Sequence, residues 1–209
     1  MSRRPRLNLA GFYHIINRGI EKRDIFLEES DFVKFLSIID EYVKICDFKI
    51  YSFCLMRNHY HLLVKTDKDN ISTIMKLINM KYAIYFNKKY KRVGPLWQGR
   101  FESKYVWDSS YLEILVKYIE YNPVKAGVAK AIGNYRYSMS SRKFEFDALN
   151  YELINRINFK EFTDEDWKKI DDFFDFKLEI KGSKVKKADK RPLEDFFERL
   201  KKEKAVVKP

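Results

Sequence analysis

"FKIYSFCLMRNHYHLLVKT", Phe48 to Thr66, reads as two β-strands and the turn that joins them. β-Branched and aromatic residues dominate both halves. Only Arg57-Asn58 separates the two runs, so a hairpin is expected, without the glycine of a standard two-residue turn. The second half holds two of the chain's three histidines, His59 and His61. Residues i and i+2 of a strand share a face, so these imidazoles project side by side and Tyr60 points the other way. Two imidazoles on one face can share a divalent cation. They also suit a pair of hydrogen-bonded structural histidines, and the motif alone leaves both readings open.

Working outward, "GFYHIINR" (Gly11 to Arg18) is a strand closed by Gly19. "DFVKFLSIIDEYVKIC" places Phe32, Phe35, Leu36, Ile39 and Val43 at helical spacing, with Ser30 as the expected N-cap. A second helix runs from Asn70 to about Tyr90 on the same criterion. Gly94-Pro95 and Gly99 interrupt "KRVGPLWQGRF", and "SKYVWD" supplies a short strand. A third helix starts near Ser110, where Ser110 and Glu113 have capping-box spacing, and is expected to end near Asn122, before Pro123. The order β-α-β-β-α-β-α spells an α+β fold: a ferredoxin-like split βαβ antiparallel sheet with helices on one face, plus one added helix.

Two units are expected: residues 1–140, beginning with a basic arm over residues 1–7, and a mainly helical C-terminal extension over 141–209. The extension contains a Lys-rich linker near residues 181–191.

The chain carries 42 Lys+Arg against 30 Asp+Glu, a formal charge of +12 over 209 residues. Such an excess suits a polyanionic partner, nucleic acid before an anionic membrane surface, or a solvated Lys-rich exterior. No segment approaches the roughly 20 apolar residues of a membrane span, and the N-terminus lacks the apolar region of a secretory signal. Cys46 and Cys54 form no disulfide framework. A cytoplasmic protein, nucleoid-associated if it binds DNA, is expected.

In "SYLEILVKYIEYNPVKAG", Leu112, Leu115, Val116 and Ile119 form the core stripe of the third helix. Tyr118 and Asn122 are i and i+4, neighbours on one flank, while Tyr121 falls on the far side from the core. Tyr118 is then either an aromatic covering the core's edge or a group presented beside the sheet with Asn122.

"YHIINRG", "LMRNHYHLLV", "GPLWQGRF" and "YIEYNPVKAG" together resemble the signature segments of single-tyrosine HUH transposases (His, hydrophobic, His) of the IS200-like branch. The likeness is greatest to the REP-associated tyrosine transposases, and it covers about residues 8–140. Arg57 stands where the family usually has proline. The resemblance implies a nuclease domain acting on single-stranded or hairpin DNA. It implies Tyr118 as nucleophile, His59 and His61 as metal ligands with Asn122 as the third, and Mg²⁺ or Mn²⁺ as cofactor. It further implies a 5′-phosphotyrosine intermediate, and either a monomer or a homodimer.

These residue types suit that chemistry. A phenol oxygen can form a covalent phosphoester that conserves the bond for rejoining. Free Tyr, with a pKa near ~10, is a poor nucleophile without a polarised phosphate. Arg3, Arg4 and Arg6 could track phosphates, as could Arg18, Lys22, Arg23 and Arg100. Trp97 could stack on an unpaired base or pack in the core. His14 could line the site but reads better as a structural histidine. The rival function is a non-catalytic DNA-binding module or repressor on the same fold.

Overall fold

The computed structural model describes residues 7–159. Arg3, Arg4 and Arg6, the Lys-rich linker and the helices expected beyond residue 159 lie outside them. Four strands and three helices follow the expected order, β1 (Gly11–Arg18), α1 (Glu29–Cys46), β2 (Phe48–Met56), β3 (His59–Thr66), α2 (Ile71–Lys89), β4 (Glu102–Tyr105) and α3 (Ser110–Lys125), and a short α4 (Glu152–Arg156) comes after them. The sheet order is β2-β3-β1-β4, with every neighbouring pair antiparallel. β3 therefore lies between β1 and β2, which is the split βαβ arrangement.

The β2–β3 hairpin turns over Arg57 and Asn58, and neither adopts a left-handed backbone. What holds this glycine-free turn is the loop after β1. Gly19 N donates to Asn58 O at 2.9 Å, and Ile25 N and Phe26 N donate to Arg57 O at 2.7 and 3.0 Å. A Cβ on Gly19 would stand 2.1 Å from the Arg23 carbonyl oxygen, so only glycine fits this close approach.

α1 and α2 cover one face of the sheet. Phe35 of α1 packs against Tyr60 of β3 and Tyr82 of α2, with ring centroids 4.9 and 5.1 Å apart. Tyr60 donates its hydroxyl to Asn79 Oδ1 of α2 at 2.8 Å. Burying each such ring stabilises the fold by about 1.5–3 kcal/mol relative to exposure. α3 lies across the opposite face, over His14 and His61. The core continues past residue 140: Phe144, Ala148, Leu153 and Ile154 are buried in it. Ile50 of β2 donates to Ala148 O at 2.8 Å along the sheet's outer edge.

Two helix boundaries and one expected cap differ from the sequence expectation. α1 is capped at Glu28, not Ser30, because the buried Asp31 carboxylate accepts from Leu27 N and Glu28 N at 2.8 and 3.1 Å. α3 starts at Ser110, but Asp108 Oδ1 accepts from Ser110 N at 2.9 Å, so Ser110 does not cap it. α3 also passes through Pro123 and ends at Lys125. Proline has no N–H for the carbonyl four residues back, Ile119 O. The Asn122 side-chain Nδ2 lies 3.4 Å from that oxygen and 2.8 Å from Tyr118 O, and so substitutes for the missing donor.

Candidate nuclease site

β1 and β3 pair with Ile16 opposite His61 and His14 opposite Leu63, so His14, His59 and His61 share the face beneath α3. His14 Nε2 lies 3.0 Å from His61 Nδ1, and the two rings stack with centroids 5.2 Å apart. His59 Nδ1 lies 2.6 Å from Asn58 Oδ1. Both β3 imidazoles thus spend Nδ1 on a neighbour and keep Nε2 as the atom able to bind a cation.

Burial holds all three imidazoles neutral at ordinary pH. His14 is held down to about 3 by burial, with Lys104 adding to it, and His59 to about 4 by burial and then Arg18. His61 is held well below the usual value by burial first, then by His14, His59 and Arg18. Neutral imidazole is the form that binds metal.

α3 delivers the tyrosine. Tyr118 is half-buried and packs edge-on against His14 and His61 of its own chain, at 5.9 and 5.8 Å between ring centroids. One turn on, Asn122 turns its NH₂ back to the helix carbonyls, so its Oδ1 is the amide atom left for a cation. The amide oxygen suits Mg²⁺ or Mn²⁺, and the two imidazole nitrogens, softer ligands, are accommodated better by Mn²⁺ than by the oxygen-seeking Mg²⁺. Among the described residues, no cluster of three or more His, Cys, Asp or Glu side chains is placed to hold a metal ion. A cation bound by His59 and His61 therefore needs a ligand of another kind.

α3 is fixed by a buried carboxylate. Glu120, 1% exposed, accepts from Ser52 Oγ of β2 at 2.8 Å, from Ser140 Oγ at 2.6 Å and from Ser140 N at 3.1 Å. Burial raises its carboxyl above the ordinary range, against the lowering effect of the Ser140 and Ser52 hydrogen bonds. Sequence reading missed Glu120, although it sits four residues after Val116 on the buried stripe. It missed Asn58 as well, and it favoured a structural role for His14, which the fold sets against His61 and Tyr118 beneath α3.

The basic candidates divide. Arg18, Lys22, Arg23 and Arg100 are exposed. Arg18 ends β1 opposite His59, while Arg23 pairs with Glu21 at 2.7 Å. The "GPLWQGR" stretch joins the same end of the sheet, as Ile20 N donates to Leu96 O at 2.9 Å and Gln98 N to Arg18 O at 3.0 Å. Trp97 donates its indole N–H to Asn79 O at 2.9 Å, with its ring against Tyr60 and Tyr82, so much of it serves the core.

The chain is similar to known proteins. Residues 10–122 match the family model "Transposase IS200 like". A curated Haemophilus influenzae protein, "Putative REP-associated tyrosine transposase", is 28% identical over 107 residues, which are 46% of this chain and 60% of that protein. The chain thus spans about three fifths of the length of that relative. A solved structure of a REP-associated tyrosine transposase bound to a REP hairpin superposes with a TM-score of 0.57 at 19% identity, covering 71% of this chain and 96% of the other. Among the described residues, no helix is long and apolar enough to cross a membrane.

Proposed function

Because the chain belongs to the IS200-like transposase family, we propose that it is a metal-dependent, single-strand-specific DNA endonuclease and strand transferase with Tyr118 as its nucleophile. The observation that carries this reading is the packing of Tyr118 against His61 of the same chain, at 5.8 Å between ring centroids. A helix carrying the tyrosine on the outer, solvent side of the fold would have left the histidines without a nucleophile.

In the reaction, the Tyr118 phenol oxygen bonds to the scissile phosphorus and the P–O3′ bond breaks. The product is a 5′-phosphotyrosine and a free 3′-OH, the phenol proton being balanced by the one the 3′ oxygen gains. Rejoining reverses these bonds with a different 3′-OH. His59, His61 and Asn122 would hold the cation, which would supply charge neutralisation at the phosphate. Arg18, Lys22, Arg23 and Arg100 hold flanking phosphates. Tyr118 packs against its own chain's histidines, so cleavage within one chain is the arrangement to test. The solved neighbour holds a REP hairpin, so a hairpin with a single-stranded flank is the substrate to test.

Labelled hairpin DNA incubated with the protein and Mn²⁺ should give a covalent adduct on a denaturing gel. The adduct should vanish in Tyr118→Phe and persist in Tyr121→Phe. Wild-type protein that binds hairpins but forms no adduct with any divalent metal would instead establish a non-catalytic DNA-binding module.

A further inference from the structure

The hydrogen bonds behind the two histidines carry information about their protons. Lys22 O is a carbonyl oxygen and can only accept. It accepts from Asn58 Nδ2 at 3.1 Å. The Asn58 amide is thereby oriented, and the atom it turns to His59 Nδ1, 2.6 Å away, is its oxygen. An amide oxygen cannot donate, so His59 Nδ1 carries the hydrogen. A neutral imidazole has one N–H, so Nε2 keeps its lone pair. The Lys22 carbonyl is presented by an unusual turn: Glu21 and Lys22 are consecutive left-handed residues at φ 53° and 61°, a conformation uncommon outside glycine.

His61 has a partner of the other kind. His14 Nε2, fully buried, stands 3.0 Å from His61 Nδ1, and an imidazole nitrogen can donate or accept. Only one direction leaves His61 able to bind a cation: Nδ1–H of His61 donates and His14 accepts.

We propose that Asn58 and His14 are positioning residues that hold His59 and His61 as Nδ1–H tautomers and reserve both Nε2 lone pairs for a cation. The His61 half rests on the reading of the site as a metal site; the His59 half follows from hydrogen bonding alone. Partners of this sort orient metal-binding histidines and raise their basicity, and their loss weakens metal affinity by about 10–100-fold.

The test uses the full chain, metal-free, with ¹⁵N-labelled histidine. Long-range ¹H–¹⁵N couplings at neutral pH should report Nδ1–H for His59 and His61. Asn58→Leu should mix the tautomers at His59, whereas Asn58→Asp, which retains an acceptor, should keep Nδ1–H there. Mn²⁺ titrated by electron paramagnetic resonance should bind about 10–100-fold more weakly to Asn58→Leu and His14→Leu. His14→Gln, whose Oε1 can replace the Nε2 acceptor, should restore binding towards wild type. An Nε2–H signature at either histidine in wild type overturns the proposal. So does wild-type Mn²⁺ affinity in both leucine variants when His59→Ala has lost it. If His59→Ala binds Mn²⁺ as wild type does, the metal site itself is wrong, and the tautomer spectra alone decide the positioning roles.

Discussion

Tyr60 and His61 are adjacent in β3 and nearly equally buried, 0% and 4% exposed, yet they belong to different environments. Tyr60 enters a layer of rings from Phe35 and Trp97, where packing supplies the stability and one hydroxyl needs one partner, Asn79. His61 enters a polar layer under α3 with His14 and Tyr118, and with Ser52 and Glu120 further along it. Buried polar groups must each be hydrogen-bonded, so that layer is specified contact by contact. The apolar face is more tolerant, because hydrophobic residues of similar volume can replace one another there. Both faces of the sheet bury apolar side chains, but the chemistry lies on the α3 face alone.

Mutations on each face can break or sharpen this division. The largest expected effect is on the α3 face. Tyr118→Phe should lose the covalent DNA adduct to background while its thermal midpoint stays close to wild type; persistence of the adduct would assign the nucleophile elsewhere. Next comes the α1/α2 face, where Phe35→Ala should cost about 3–5 kcal/mol in urea unfolding through lost burial and the cavity it leaves. A loss under about 1 kcal/mol would show that this face does not carry the stability. Glu120→Ala strands the Ser52 hydroxyl and the Ser140 donors, and should cost about 1–3 kcal/mol. It should also reduce adduct yield, since Glu120 ties the tyrosine helix to β2. An adduct yield equal to wild type would uncouple the carboxylate from the site.

The α3 face also predicts a pH dependence. His14 and His59 are held at about 3 and about 4, and His61 well below its usual range, whereas the unfolded chain's histidines titrate near 6.5. Below that value the unfolded chain takes up protons that the native state refuses. The stabilisation is therefore complete above about pH 6.5 and is lost progressively as pH falls towards about 3. Glu120, raised by burial, acts with the opposite sign: its contribution declines as pH rises through its folded range. Three imidazoles against one carboxyl should give a lower urea midpoint at pH 5 than at pH 7, with a shallower dependence in His14→Gln. Equal midpoints would contradict neutral burial of the histidines.

The legible parts were those with strong local patterns. The strand bounds at Gly11–Arg18, Phe48–Met56 and His59–Thr66 follow from residue type and the two-residue gap. The pairing of Tyr118 with Asn122 follows from i, i+4 spacing. Local rules failed where a distant or side-chain partner intervened. Ser30 lost the cap to the Asp31 carboxylate, and Pro123 did not stop α3 because Asn122 supplies the donor that proline lacks.

By itself the sequence determined the alternation that puts His59 and His61 on one face and the helical period that puts Tyr118 beside Asn122, because both are properties of a single element's geometry. Only the tertiary structure decided that these two elements meet, that His14 backs His61 across 47 residues of sequence, and that Asn58 is oriented by Lys22 across 36. Those contacts depend on strand order and on which face α3 covers, and no local period encodes either.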